Sequence, residues 1–422
     1  MARRALKSHT LILNHRKRSK KGRRKTMLEP AYLVSVADSV VEIYSQVEQD
    51  IAADIARRIV KTGYVTDTAK WQLRKAQELG FLSKDVDKLL AQATGLSENE
   101  IKRLMKEAGV KSLAFDDAVY KAAGLSPTSL DKSPALQAML LQGTDTTLAL
   151  IGNYTKTAGK VANLAFTNIL DRAYIQIMSG AFDPNTAIKN AVKEIAASGI
   201  EKVAYPSGSH TSVEAAVRRA VITGVNQSVA KLQLLRADEM GCELVETSSH
   251  AGARPSHQVW QGRVFCLKGK RSGYPDFYSE TGYGTGDGLC GWNCYHSFYP
   301  YFEGLSTRSF SPDPSADAGS SNIVDYERSQ KQRYYERQVR NAKKECVTIN
   351  AAMEEATEQA LHDELYEQFQ RSSVKLKNRE AALREFLKKT GRTRTNEREW
   401  TAGFGHSVSS KAVWANRKAR RE

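Results

Sequence analysis

Residues 36–59 read VADSVVEIYSQVEQDIAADIARRI. Apolar side chains recur here every three or four positions, which is the repeat of an α-helix with one apolar face. The members of this face are Val36, Val40, Ile43, Val47, Ile51, Ile55 and Ile59. The pattern predicts one long helix whose apolar face is buried against other helices.

Helix start and stop signals extend this pattern along the first half of the chain. Glycines predict three short helices within 68–109, and the sequence SENE at 97–100 is a capping box that opens the third. Asp-Pro and a closing glycine bound a helix at 183–199, and a second capping box lies at 211–214. Residues 27–243 are therefore expected to form a multi-helical body.

The composition changes near residue 245. Residues 260–304 hold twelve of the 34 aromatic residues and nine of the 28 glycines. Alternating apolar residues predict short strands at 244–247, 258–260 and 263–265. We expect a small, loop-rich α+β module at 244–305.

Three segments follow this module. Serine, aspartate, proline, alanine and glycine dominate 306–322, which indicates a linker. Residues 323–390 are predicted to be helical, without a continuous apolar stripe, and 391–422 to be an irregular basic tail. The expected fold class is mainly α, with a helical body, one α+β module and a helical basic C-terminal region.

The net charge of +16 is concentrated at the two ends of the chain. Residues 1–26 carry eleven Lys or Arg and no acid, and 371–422 carry fifteen Lys or Arg against five Glu, which leaves −5 for 27–370. Residues 1–26 are predicted to be a disordered arm that binds a polyanion such as nucleic acid. Simple solubility is the alternative. The densest run comprises Arg16, Lys17, Arg18, Lys20, Lys21, Arg23, Arg24 and Lys25.

Bulk composition excludes several classes of protein. Hydrophobic residues make up 41% and charged residues 26%, as in soluble globular proteins. No apolar run is long enough for a membrane span or a secretory signal. The five cysteines are an odd number in a large chain, which argues against a disulfide scaffold. We expect synthesis in the cytoplasm and retention there until the protein is assembled into a larger structure.

Cysteine and histidine cluster in the module, and two interpretations of them stay open. Zinc prefers such ligands. The candidate zinc ligands are Cys290, Cys294, His296 and Cys266. His250 or His257 could replace Cys266 as the fourth ligand. Because Cys-x3-Cys-x-His is looser than paired Cys-x2-Cys, the favoured interpretation is that the cysteines pack as small apolar groups and no cofactor is bound.

The same residues could form a Cys/His nucleophile pair. Cys290 or Cys294 would then act with His250 or His257. No nucleophile elbow or phosphate-binding loop accompanies them, and the glycine-rich run at 282–288 lacks the Gly-Lys-Ser/Thr of such a loop. We therefore do not expect an enzyme.

Two segments carry a family resemblance. They are HAGARPSHQVWQG at 250–262, the first signature segment, and the stretch 282–300, the second signature segment, which contains GLCGWNCYHS at 288–297. Together they resemble the signature of phage minor capsid protein 2 from tailed phages of Gram-positive bacteria and, more distantly, head-morphogenesis proteins of Mu-like phages. Shorter matches extend the resemblance over about 30–410: 43–50, 68–73, 205–208, 221–227, 330–337 and 403–407.

The resemblance implies a structural role in a phage head. It implies a low-copy, oligomeric minor capsid protein near the portal vertex, facing the head interior, that takes part in head assembly or in DNA packaging or ejection. Its partners would be the portal, the major capsid protein and packaged double-stranded DNA, with no membrane. The basic residues 1–26 are not part of the family pattern. The alternative is a cytoplasmic nucleic-acid-binding protein with a zinc-stapled module.

The first signature segment also predicts a structural role for its own residues. Pro255 forces Arg254 into an extended conformation. We expect Arg254, His257 and Trp260 to join the two signature segments through hydrogen bonds and packing. Gly262 completes this structural signature.

Overall fold

The computed structural model describes residues 28–63, 65, 67–200, 203–204, 210–271, 273–314 and 320–420. The basic arm predicted at 1–26 lies outside these residues. The described chain is mainly α-helical with a small three-stranded antiparallel sheet, which confirms the predicted fold class.

The elements are numbered in chain order. The helices of the described residues are α1 (Pro30–Ser35), α2 (Asp38–Gly63), α3 (Thr68–Ala122), α4 (Pro134–Met178), α5 (Pro184–Ser198), α6 (Val213–Glu239), α7 (Pro255–Gln258), α8 (Phe277–Thr281), α9 (Asn322–Glu355), α10 (Gln359–Thr390), α11 (Asn396–Glu399) and α12 (His406–Ala419). The strands are β1 (Val203–Ala204), β2 (His210–Thr211), β3 (Leu244–Thr247), β4 (Val264–Cys266) and β5 (Phe298–Tyr301).

Helix α2 confirms the prediction from the apolar repeat. Val40, Ile55 and Ile59 on its predicted face have no solvent exposure. This face packs against α3, α5, α6 and α9, so α2 runs through the centre of the helical body.

The prediction of three short helices in 68–109 is wrong, because α3 is continuous from Thr68 to Ala122. Its buried side recurs at helical spacing straight through the glycines at 80 and 95, and a glycine inside a helix costs only about 1 kcal/mol. The serine of the first predicted capping box, Ser97, is buried in mid-helix and donates to Thr94 O at 2.9 Å.

The predicted ends of α5 and the start of α6 agree with the structure to within one residue. Asp183 accepts a hydrogen bond from Thr186 N at 3.0 Å, and α5 ends at Gly199 as predicted. The N-cap of α6 is Ser212, which accepts from Ala215 N at 3.3 Å, one residue after Thr211, where the predicted capping box begins. The second capping box itself does not form, because the Glu214 side chain instead accepts from Ser45 Oγ at 2.7 Å, within the core.

The C-terminal helices are part of the main core. Helices α9, α10 and α12 contribute Cys346, Phe369 and Ala412 to the same apolar cluster as α2, α4 and α5. The expectation that 391–422 is irregular is wrong over 406–419, where α12 packs on α10. Buried alanines and Val408 on one face of α12 explain this packing.

The sheet has the order β4-β3-β5 with antiparallel neighbours, and Leu244 pairs with both Cys266 and Tyr301. The predicted strands at 244–247 and 263–265 correspond to β3 and β4, within one residue at each end of β4. The strand predicted at 258–260 is wrong, because Pro255 starts the helical turn α7 there.

Part of the predicted linker packs on the module. The Glu246 carboxylate accepts from Ser309 N at 2.9 Å and from Phe310 N at 3.0 Å. The Phe310 ring stacks on Tyr299, with ring centroids 5.6 Å apart. Within the described residues, every helix long enough for a bilayer carries too many polar or charged residues to serve as a membrane span.

Candidate metal centre

The two signature segments meet beside α6 and the sheet. The first contains α7, which follows β3, and the second ends within β5. Trp260 and Phe298 lie in one apolar cluster with Ala230 of α6, so burial of large apolar side chains holds the module together.

Asn226 on the buried side of α6 organises the second signature segment. Its Nδ2 donates to Cys294 O and to His296 O, both at 3.0 Å, and its Oδ1 accepts from Cys290 Sγ at 3.7 Å. The loop needs this support because Cys290 (φ 59°) and Asn293 (φ 52°) adopt the left-handed conformation, which disfavours residues with a Cβ.

His257, Cys294 and His296 converge on one point. The Cys294 Sγ lies 3.9 Å from His257 Nδ1 and 3.7 Å from His296 Nδ1. None of the three residues exposes more than 2% of its surface. Their ligand atoms lie within 4.8 Å of one another, which is close enough to share one metal ion. Among the described residues, this is the group of metal-ligand side chains that meets this condition.

Hydrogen-bond partners determine which ring nitrogen carries the proton. His257 Nε2 lies 2.9 Å from Asp287 O, so it must donate. His296 Nε2 lies 3.1 Å from Gln261 Oε1, which also accepts from His250 N. Both Nε2 atoms therefore carry hydrogen, and both Nδ1 lone pairs face the Cys294 sulfur.

Burial keeps the three groups neutral at neutral pH. It lowers the pKa of His257 to about 4 and the pKa of His296 well below its ordinary value. It also raises the pKa of the Cys294 thiol to about 11. This is the opposite of an activated nucleophile, which needs a lowered thiol pKa and access for a substrate. The Cys/His nucleophile hypothesis therefore gains no support from the pair that the structure brings together.

The structure brings together only half of the metal ligand set predicted from sequence. Cys294 and His296 belong to the cluster, whereas Cys290 contacts Asn226 Oδ1 instead. Cys266 lies in β4, where its backbone N–H donates to Pro275 O at 2.9 Å.

Of the two alternatives for the fourth ligand, only His257 lies in the cluster. His250 stacks on His296 with ring centroids 4.5 Å apart, and its Nδ1 lies 3.0 Å from Ala251 O.

Sequence reasoning did not identify Asn226 or Gln261. One signal for Asn226 was available, because a polar side chain between the buried Val225 and Val229 on one helix must find hydrogen-bond partners. The approach of His257 to Cys294 had no local signal, since the two are separated by 37 positions.

The residues of the predicted structural signature all contact the second signature segment or the segment after it. Arg254 Nη2 donates to Trp292 O at 2.5 Å, and the Trp260 ring packs against His296 with centroids 4.8 Å apart. Gly262 has φ 61°, and a Cβ there would lie 2.4 Å from Ser311 O, so only glycine fits.

Replacement of Arg254 by alanine is expected to lower the free energy of unfolding by about 1–2 kcal/mol. The substitution removes a charge-assisted hydrogen bond to Trp292 O from a partly exposed side chain. Urea denaturation measures the change, with Arg263→Ala as the control, because the Arg263 side chain is exposed. Equal stability of both variants would contradict a joining role for Arg254.

Comparison with known proteins identifies a family. The sequence model of phage minor capsid protein 2 matches residues 28–388, which include both signature segments. A structural protein of Lactococcus phage LL-H is 24% identical over 290 residues, covering 66% of this chain and 76% of that protein. A structural protein of Lactococcus phage mv4 is 44% identical over 70 residues, covering 17% of this chain and 53% of that protein. No solved structure is significantly similar to the chain.

The three residues of the buried Cys/His cluster thus all come from the two signature segments. Since the family model spans this cluster and most of the helical body on either side, the chain belongs to the phage minor capsid protein 2 family, a family of phage structural proteins.

Proposed function

We propose that this protein is a low-copy, oligomeric component of the phage head that binds at the portal vertex and faces the DNA-filled interior. There it contributes to head assembly or to the packaging or ejection of DNA. Its partners are the portal, the major capsid protein and packaged double-stranded DNA. Family membership supports the structural role, and the distribution of charge supports the position next to DNA.

The proposed contact with DNA is supported by a basic surface at the end of α10. Arg384, Lys388 and Lys389 are exposed there, within two turns of one helix. Among the described residues, none of the three has a carboxylate within ion-pair distance, whereas Lys375 and Lys377 earlier in α10 are paired with Glu side chains. Unpaired, exposed cations on one helix suit phosphate binding that is independent of base sequence.

The helix dipole offers a simpler explanation for two of these residues. Lys388 and Lys389 lie in the last turn of α10, where a positive charge stabilises the helix. It does not explain Arg384 one turn earlier, or the net charge of +10 over 371–422. A phosphate-binding surface accounts for all of these charges together.

Replacement of Arg384, Lys388 and Lys389 together by glutamine is expected to weaken binding to duplex DNA and to flatten its salt dependence. Each lost phosphate contact lowers the slope of log K against log salt by about 0.9, so three contacts lower it by roughly 2–3. The control replaces Lys88, Lys102 and Lys106 on α3, which are also exposed and give the same net charge. Equal slopes for the two triple variants would contradict this surface.

The position in the head is tested with virions. A phage lacking the gene is complemented with an epitope-tagged copy, and antibody labelling of intact heads is compared with labelling of opened heads. Labelling at one vertex, and only after opening, is expected. Labelling of intact heads over the whole shell would contradict the interior, portal-vertex position. Absence of the protein from purified virions would instead favour the alternative of a cytoplasmic nucleic-acid-binding protein.

A further inference from the structure

We propose that His257, Cys294 and His296 bind one zinc ion, which links the first signature segment to the second. His257 comes from the first segment, and Cys294 and His296 come from the second. The ligands would be the two Nδ1 atoms and the Cys294 thiolate.

The distances between the ligand atoms fit a tetrahedral ion. Zinc–sulfur bonds of about 2.3 Å and zinc–nitrogen bonds of about 2.0–2.1 Å place sulfur and nitrogen ligands about 3.6 Å apart. The Cys294 Sγ lies 3.7 Å from His296 Nδ1 and 3.9 Å from His257 Nδ1. The two sulfur–nitrogen distances therefore need to shorten by only a few tenths of an ångström, and all three ligand atoms lie within 4.8 Å of one another.

Hydrogen bonding alone does not satisfy this cluster. Cys294 has a single S–H, but two Nδ1 lone pairs face its sulfur, since both Nε2 atoms carry hydrogen. One buried lone pair is left without a donor, and such unsatisfied groups are rare in folded proteins. A zinc ion would accept both lone pairs and the sulfur at once.

The surroundings have the arrangement expected around metal ligands. A ligating histidine normally donates its other N–H to an oxygen, which fixes the ring and its tautomer. Asp287 O accepts this hydrogen bond from His257 Nε2, and Gln261 Oε1 accepts it from His296 Nε2. Asn226 holds the backbone oxygens of Cys294 and His296, so two of the three ligands are positioned by one residue of α6.

The chemistry of the donor atoms indicates which metal binds, and the position of Cys290 indicates how many protein ligands it has. A thiolate and two imidazoles favour zinc over magnesium or calcium, which prefer oxygen. The Cys290 thiol is directed to Asn226 Oδ1, so the fourth position is assigned to solvent. On binding, the Cys294 S–H bond breaks and its proton passes to water, while the sulfur electron pair forms the bond to zinc.

Metal analysis of the purified full-length protein tests the proposal. About one zinc per chain is expected, and a strong chelator should lower the melting temperature, with recovery on adding Zn²⁺ but not Mg²⁺. Cobalt exchanged into the wild-type protein should show the near-ultraviolet charge-transfer band of a thiolate ligand. Clearly substoichiometric zinc, with a melting temperature that the chelator does not change, would overturn the proposal.

Variants distinguish the ligands from their neighbours. Cys294→Ser is expected to lose at least nine-tenths of the bound zinc, whereas Cys290→Ser and Cys266→Ser, equally buried, should keep it. Gln261→Met leaves all three ligands in place but removes the acceptor that His296 Nε2 shares with His250 N. Zinc affinity should therefore fall about 10–100-fold without loss of the cobalt–thiolate band. If Cys290→Ser lost as much zinc as Cys294→Ser, this ligand set would be wrong. If Cys294→Ser does not fold, the cobalt spectrum of the wild-type protein decides whether a thiolate binds the metal.

Discussion

Deletion of residues 1–26 is expected to weaken binding to duplex DNA by at least about a thousandfold at 50 mM salt. This segment holds eleven positive charges and no negative one. Six to ten phosphate contacts account for a drop in affinity of about 10³–10⁵ between 50 and 200 mM salt, so a chain that begins at Met27 should lose most of this salt dependence. Fluorescence anisotropy with a short duplex measures both effects.

Two controls separate charge from sequence in this experiment. A full-length variant whose eleven Lys and Arg residues in 1–26 are changed to Gln should behave like the deletion. A variant with the same 26 residues in shuffled order should bind as the wild type does, because counterion release depends on the number of positive charges, which shuffling does not change. If the deletion variant keeps the wild-type affinity and salt slope, residues 1–26 do not bind DNA.

Replacement of Lys344 by methionine is expected to lower the free energy of unfolding by about 3–5 kcal/mol. Lys344 Nζ lies 3.0 Å from Glu48 Oε2 and 3.0 Å from Glu214 Oε1, and both carboxylates are at least 91% buried. Lys344 and Arg340 hold the pKa of Glu214 near 2, while burial raises the pKa of Glu48. The variant would leave these two carboxylates buried side by side without the lysine.

This ion pair cluster joins three helices that are far apart in sequence, namely α2, α6 and α9. Urea denaturation of Lys344→Met measures the loss, with Lys331→Met on an exposed face of α9 as the matched control. Adding Glu48→Gln to Lys344→Met should restore part of the stability, since it removes the charge that loses its lysine partner, whereas Glu214 keeps Arg340 at 2.9 Å. A loss below about 1 kcal/mol would show that the cluster does not couple the C-terminal helices to the body.

Local signals predicted the elements whose ends depend on local chemistry. Asp183 caps α5 as predicted, and Ser212 caps α6 one residue after the predicted Thr211, because a side-chain oxygen can satisfy a free backbone N–H within the same turn. The glycines at 80 and 95 gave the wrong helix ends in α3. Their local cost is smaller than the gain from a buried face that continues on both sides, and that gain depends on helices elsewhere in the chain.

The candidate site shows the same division. Cys294 and His296 were predicted because two positions in an extended segment place their side chains on one face. Cys290 is nearer in sequence to Cys294 than His257 is, but its left-handed backbone turns its thiol towards Asn226. His257 reaches the site only because α7 packs against the loop that precedes β5.

The sequence by itself therefore determined the fold class, the family, the basic character of both ends and the presence of a Cys/His-rich module. These properties follow from composition, apolar periodicity and short motifs, which are local in the chain. Only the tertiary structure decided that α9, α10 and α12 share the core of the body, and that His257 joins Cys294 and His296. Such contacts depend on the packing of residues that are distant in sequence. No short stretch of sequence contains a pattern that reports this packing.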